Sequence, residues 1–185
     1  PQAMASFLDQ EGVPVVGLSL RCDKQPALRW KQARYAPLGS ELLSAQHQRT
    51  YQIPLCVSTG PAATDKLCAL LDGPSGELPL ARCPDYVLGN PEATGYYHVR
   101  YEGDLVDRIG RQYASLSELQ RVNLLWDLWA MTRAGQLPVG EALRFAARAA
   151  GESGRHLPTA AARGQSTIEM EPMLQEVVVV EKLGT

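Results

Sequence analysis

The sequence predicts a mainly β fold followed by α: an antiparallel β-sandwich of about seven strands, then an αα-hairpin that begins a helical array. Three observations carry this. Ten of the 13 prolines lie in residues 1–101. Proline withholds a backbone donor, so that part favours short strands and turns over long helices. The same part places apolar residues at every second position, and after residue 101 the apolar period becomes helical.

The elements follow in order. Met4, Phe7 and Leu8 stand at helical spacing and read as the end of a helix from a longer chain. Val13–Leu20 is continuously apolar at first and then alternates. In Leu28–Tyr35, Leu28 and Trp30 face one way, Arg29 and Lys31 the other. In Tyr51–Ser58, Tyr51, Ile53, Leu55 and Val57 alternate with Gln52, Pro54, Cys56 and Ser58. Lys66–Asp72, Glu77–Ala81, Tyr86–Leu88 and Tyr96–Tyr101 complete the strands, with turn signals at Gly60-Pro61, Asp72–Gly76 and Gly89-Asn90-Pro91. Pro54 must sit at an edge or point outward.

Leu105, Val106, Ile109 and Tyr113 mark a short helix. Ser115 and Glu118 form an S-x-x-E capping box ahead of a longer one. Its expected apolar face is Leu119, Val122, Leu125, Trp126 and Trp129, and Gly135 is its stop. Pro138 suits the first turn of a third helix with face Val139, Leu143, Ala146, Ala147 and Ala150, ended by Gly151. Two such helices joined by a short turn predict an αα-hairpin, whose second face needs a further helical partner. Glu152–Arg163 reads as the start of another helix, whereas Gln165–Thr185, with its Val177–Val180 run, does not continue such an array. The expected organisation is the end of a preceding domain at 1–12, the sandwich at 13–101, the start of a helical domain at 102–163 and an unassigned tail at 164–185.

Net charge is −2, and residues 1–101 carry nine basic and nine acidic side chains against nine and eleven in the rest. Neither half has the single-sign field that favours nucleic acid or an anionic membrane, so neither is expected as a partner. No apolar run approaches the ~20 residues of a bilayer span. The N-terminus lacks the pattern of a signal peptide. A soluble protein is expected, cytoplasmic or periplasmic. Cys22, Cys56, Cys68 and Cys83 show no C-x-x-C spacing. They read as small buried hydrophobes in preference to disulfide partners, which leaves the compartment open.

Catalytic chemistry needs a nucleophile, a metal or tuned acid–base groups. His47, His98 and His156 form no H-E-x-x-H pair, and none lies three to five residues from another. A helical zinc site needs that spacing. His47 falls in a polar stretch, His98 on the polar side of the last strand, and His156 near a helix start. No G-x-S-x-G, P-loop or G-x-G-x-x-G occurs. The pairs Asp9/Glu11 and Asp104/Asp107 read as structural, the second favouring a helix dipole. No catalytic, cofactor-binding or metal-binding residue is therefore expected in this chain.

Five segments in order resemble the C-terminal half of the aminopeptidase N-like (alanyl aminopeptidase) zinc metallopeptidases, with a bacterial member as the expectation. Phe7, Gln10, Gly12, Pro14 and Val15 are similar to an aromatic-x-x-Q-x-G-x-P-V lead-in to the sandwich. Leu28, Trp30, Gln32, Arg34 and Tyr35 resemble L-x-L-x-Q-x-R-F, and Tyr51, Ile53, Pro54 and Leu55 resemble W-x-I-P-L. Asn90, Gly95, Tyr96, Tyr97, Val99 and Tyr101 resemble N-x-x-x-x-G-Y-Y-R-V-x-Y. Leu116, Ser117, Arg121, Leu124, Asp127, Ala134, Gly135 and Leu137 resemble L-S-x-x-D-R-x-x-L-x-x-D-x-x-x-L-x-x-A-G-x-L. Tyr51, His98 and Gln120 stand where that family often has Trp, Arg and Asp.

The resemblance implies a parent with a catalytic domain upstream, where zinc polarises the scissile carbonyl, a carboxylate activates water and an anionic group holds the substrate amine. This chain has no counterpart of those residues and is expected to be inactive alone, bridging the catalytic and helical domains of the same protein. It would meet peptide substrate only through that parent. An exposed apolar face is expected where the other domains dock. The alternative is a free-standing β-sandwich protein-interaction module; a small hydrolase built on His98 or His156 is a third reading.

Overall fold

The computed structural model describes residues 2–40, 50–60 and 65–148. Helix α1 (Gln2–Leu8) precedes strands β1 (Pro14–Arg21), β2 (Ala27–Arg34), β3 (Ile53–Ser58), β4 (Lys66–Leu71), β5 (Ser75–Pro79), β6 (Leu88–Gly89) and β7 (His98–Tyr101). Helix α2 (Leu105–Arg111), a 3-10 turn at Tyr113–Ser115 and helix α3 (Glu118–Arg133) follow, and residues 139–148 are helical. His47, Ala150, Gly151, His156 and the tail lie outside the described residues.

The strands form two sheets, ordered β5-β2-β1-β7 and β4-β3-β6. Alternation sets their inner faces. Val16, Leu18, Leu28 and Trp30 are buried in the first, and Ile53, Leu55, Val57, Leu71 and Leu88 in the second. Each such aliphatic side chain contributes about 1.5–3 kcal/mol when removed from water. Arg29, Lys31 and Pro54 point out, as the alternation requires. One pairing differs from the all-antiparallel expectation: β1 and β7 run parallel, with Val16 opposite Val99. The chain reaches β7 from β6 in the other sheet, and a connection that changes sheets is free of the hairpin geometry that imposes antiparallel neighbours.

The unbroken apolar start of β1 has its own cause. Val15 belongs to a second small core with Ala130 and Met131 of α3, flanked by Tyr35 and Leu137. The start of β1 is thus covered on both faces.

Helix α3 departs from expectation at three points. Its N-cap is Ser117, which accepts from the Gln120 amide while the Gln120 side chain accepts from the Ser117 amide. Ser115 instead ends the 3-10 turn and bonds the Gln112 carbonyl. The buried face is Leu124, Asp127, Leu128, Ala130 and Met131. Leu119 is exposed, and Val122, Leu125, Trp126 and Trp129 are half-buried. A charged residue inside the packed stripe concealed that face. The stop is as expected: Gly135 takes φ +67°, the Gly135 amide bonds the Thr132 carbonyl and the Gln136 amide bonds the Met131 carbonyl, a Schellman cap. In the next helix the buried residues are Ala142 and Phe145; Val139 and Ala147 are exposed.

The cysteines also correct the sequence reading. Cys22 is bonded to Cys83, and Cys56 to Cys68 directly across the β3–β4 pair. Period-two patterning shows which face a cysteine occupies but not which cysteine faces it.

The chain divides into two compact units, Pro1–Pro138 and Val139–Thr185. The first holds the sandwich together with α2 and α3.

Candidate functional site

Strand β7 sends Val99 and Tyr101 into the core and turns His98 outward beneath α3. His98 Nδ1 lies 3.2 Å from Asp127 Oδ1, and the His98 ring packs 5.1 Å from the Tyr35 ring. Asp127 is 2% exposed. Burial pushes its carboxyl up to about 6, against the opposing effects of the His98 hydrogen bond and charge and the Val99 amide. Its Oδ2 has no hydrogen-bond partner.

Beside the pair, Tyr97 Oη accepts the Cys56 amide at 3.4 Å and Tyr101 Oη accepts the Gly89 amide at 3.2 Å. Burial pushes the Tyr97 phenol up to about 12 and the Tyr101 phenol well above its ordinary value, and the Asp127 charge adds to both. Neither phenol ionises at neutral pH. The pair can share a proton. It does not line the open groove of about 350 Å³ on the outer face of the four-stranded sheet, which is formed by residues including Gly17, Lys31, Gly76 and Glu102. There the Lys31–Glu102 and Arg29–Glu77 ion pairs, at 2.9 and 2.7 Å, occupy each other.

Other residues singled out in the sequence gather at two joints. At the first, Gln32 bonds both the amide and the carbonyl of Tyr51, and also the Gly73 carbonyl. Tyr51 Oη donates to the Glu11 carbonyl, Gln10 bonds the Ser6 and Thr50 carbonyls, and Phe7 packs 5.6 Å from the Tyr51 ring. Gly12 adopts φ +100°, and a side chain there would meet Arg34. These contacts fasten α1 to the sandwich.

At the second joint Asn90, at φ 49°, bonds both the amide and the carbonyl of Gly95 through its side chain. Asn123 of α3 donates to the Asn90 carbonyl. A side chain at Gly95 would collide with the Tyr97 ring. This corner fastens the β6–β7 connection to α3.

Asp104 caps α2 without a side-chain cap bond and pairs with Arg108 at 2.8 Å. Glu11 is exposed and reaches Arg34 at 3.7 Å. Among the described residues no three His, Cys, Asp or Glu converge to hold a metal ion. The His98–Asp127 contact joins two residues 29 apart. The legible trace of it was an acidic residue at helical spacing from Leu124 and Met131.

Residues 86–168 match the family model described as the ERAP1-like C-terminal domain. The chain is 31% identical over 142 residues to tricorn protease-interacting factor F2 of Thermoplasma acidophilum, covering 77% of this chain and 16% of that protein. It is 26% identical over 151 residues to human endoplasmic reticulum aminopeptidase 2, covering 77% and 15%. The chain is related to the C-terminal region of aminopeptidase N-like proteins. A further such relative, puromycin-sensitive aminopeptidase of Caenorhabditis elegans, is 27% identical over 157 residues, covering 82% of this chain and 16% of its own length. The chain spans about one sixth of the length of these relatives. Among the described residues no helix is long and apolar enough to cross a membrane.

Proposed function

We propose that this chain is the non-catalytic C-terminal segment of a zinc-dependent aminopeptidase that removes N-terminal amino acids from peptides, and that it supports and bridges the catalytic and helical domains. The observation that carries this reading is the placement of the shared motif residues. Phe7, Gln10, Gln32 and Tyr51 fasten α1 to the sandwich, while Asn90 and Gly95 fasten the sandwich to α3. Such positions fix the angle between elements and expose no reactive group. Met4 and Leu8 on α1 are exposed, as is Tyr96, whose ring lies 6.3 Å from that of Phe7. They offer an apolar surface suited to a neighbouring catalytic domain.

The donor set here does not fit zinc, since no three ligands converge among the described residues; in this reading zinc belongs to the upstream domain. The two disulfides favour an oxidising compartment such as the periplasm.

The purified chain is expected to bind no stoichiometric zinc and to release no alanine from a chromogenic anilide. Chelator-sensitive turnover by this chain alone would overturn the reading. The upstream open reading frame separates it from a free-standing interaction module, because the aminopeptidase reading requires an H-E-x-x-H motif there.

A further inference from the structure

We propose that His98 and Asp127 form a protonation-dependent latch that holds α3 against β7, tight while the Asp127 carboxyl carries a proton and looser once that proton is lost. The parts are in place. Asp127 lies on the packed face of α3, between Leu124 and Met131, and His98 belongs to β7. The 3.2 Å contact therefore ties helix to sheet. Asp127 Oδ2 is buried and without a hydrogen-bond partner, and His98 is the one cationic side chain acting on the carboxylate among the described residues.

Among the described residues, the other titratable groups facing the pair are phenols: Tyr97 and Tyr101 around β7, and Tyr35 beyond the end of β2. Tyr97 and Tyr101 stay protonated, and the Asp127 charge helps to keep them so. From α3 itself, Asn123 is turned to the Asn90 carbonyl. A protonated Asp127 carboxyl puts no negative charge into the buried seam. Loss of that proton leaves a buried anion with one oxygen lacking a hydrogen-bond partner, which disfavours the docked helix. The His98 side chain is 26% exposed, so solvent reaches the pair through the imidazole.

The direction follows from linkage. The docked carboxyl titrates at about 6 against 3.8 for the free side chain. Docking is therefore favoured fully below the lower value and less as pH rises through the upper one. A gap of about two units corresponds to about 100-fold in the opening equilibrium of α3.

Hydrogen exchange of the full chain tests this, read on a peptide covering residues 118–133 and corrected for intrinsic rates. The α3 amides are expected to open about 100-fold more often at pH 7.5 than at pH 4. Asp127→Asn keeps the size of the side chain and cannot ionise, so the difference is expected to vanish. Peptides from β3 and β4 should keep the same profile in both proteins. His98→Arg supplies a permanent cation and is expected to flatten the profile with α3 closed. Equal opening of wild-type α3 at both pH values overturns the latch, as does an undiminished difference in Asp127→Asn. Should Asp127→Asn fail to fold, His98→Arg decides: an undiminished difference there overturns it as well.

Discussion

Gln32 donates its side-chain amide to the Tyr51 carbonyl at 2.9 Å and accepts the Tyr51 amide at 2.8 Å. One side chain thereby acts as a strand neighbour for the segment leading into β3, and a bond to the Gly73 carbonyl links it to the β4–β5 turn as well. Gln32→Ala removes all three bonds from a part-buried site. A loss of about 2–4 kcal/mol is expected, since each stranded backbone group costs about 1–3 kcal/mol. Urea unfolding should show a lower midpoint with an unchanged slope.

Gly95 is held by the Asn90 side chain while the Tyr97 ring lies where a Cβ would go. Tyr97 is itself bonded to the Cys56 amide, so the ring cannot simply swing away. Gly95→Ala is expected to cost about 1–3 kcal/mol through overpacking. A thermal melt measures it, and an unchanged Tm would show that the corner yields freely.

Two serines near the start of α3 separate the cap observed from the cap expected. Ser117→Ala removes the hydroxyl oxygen that accepts the Gln120 amide and should cost about 1 kcal/mol. Ser115→Ala removes one exposed bond to the Gln112 carbonyl and should fall within about 0.5 kcal/mol of wild type. Chemical denaturation of both variants gives the comparison.

Cys22–Cys83 closes a separation of 61 residues and Cys56–Cys68 one of 12. Loop-closure entropy assigns them about 4 and about 3 kcal/mol. Alkylation of the unreduced, denatured chain should modify no cysteine, and reductant should lower the urea midpoint. Cys22→Ala with Cys83→Ala should lower it more than the Cys56/Cys68 double variant.

His98→Ala leaves the Asp127 carboxylate without the imidazole that bonds its Oδ1. At pH 7.5 a cost of about 1–3 kcal/mol is expected, that of a buried acceptor left without its partner. At pH 4 the carboxyl, whose folded titration lies at about 6, holds a proton with or without the imidazole, so most of the cost should disappear. Denaturation at the two pH values measures the change.

Much of this protein was legible before its structure. The alternation in Leu28–Tyr35 and Tyr51–Ser58, the turn at Asp72–Gly76 and the stop at Gly135 report local backbone preferences and which face meets a core. They set seven strands followed by helices, and the ordered motif residues pointed to the aminopeptidase relationship. The tertiary structure decided what depends on a distant neighbour. It chose the Leu124–Leu128–Met131 face of α3, because the residues around Val15 lie beneath it. It joined Cys56 to Cys68 through the β3–β4 register, ran β7 parallel to β1 after a change of sheet, and brought His98 under Asp127. Chain periodicity records whether a side chain meets a core; the partner it meets there is fixed only when segments far apart in sequence pack together.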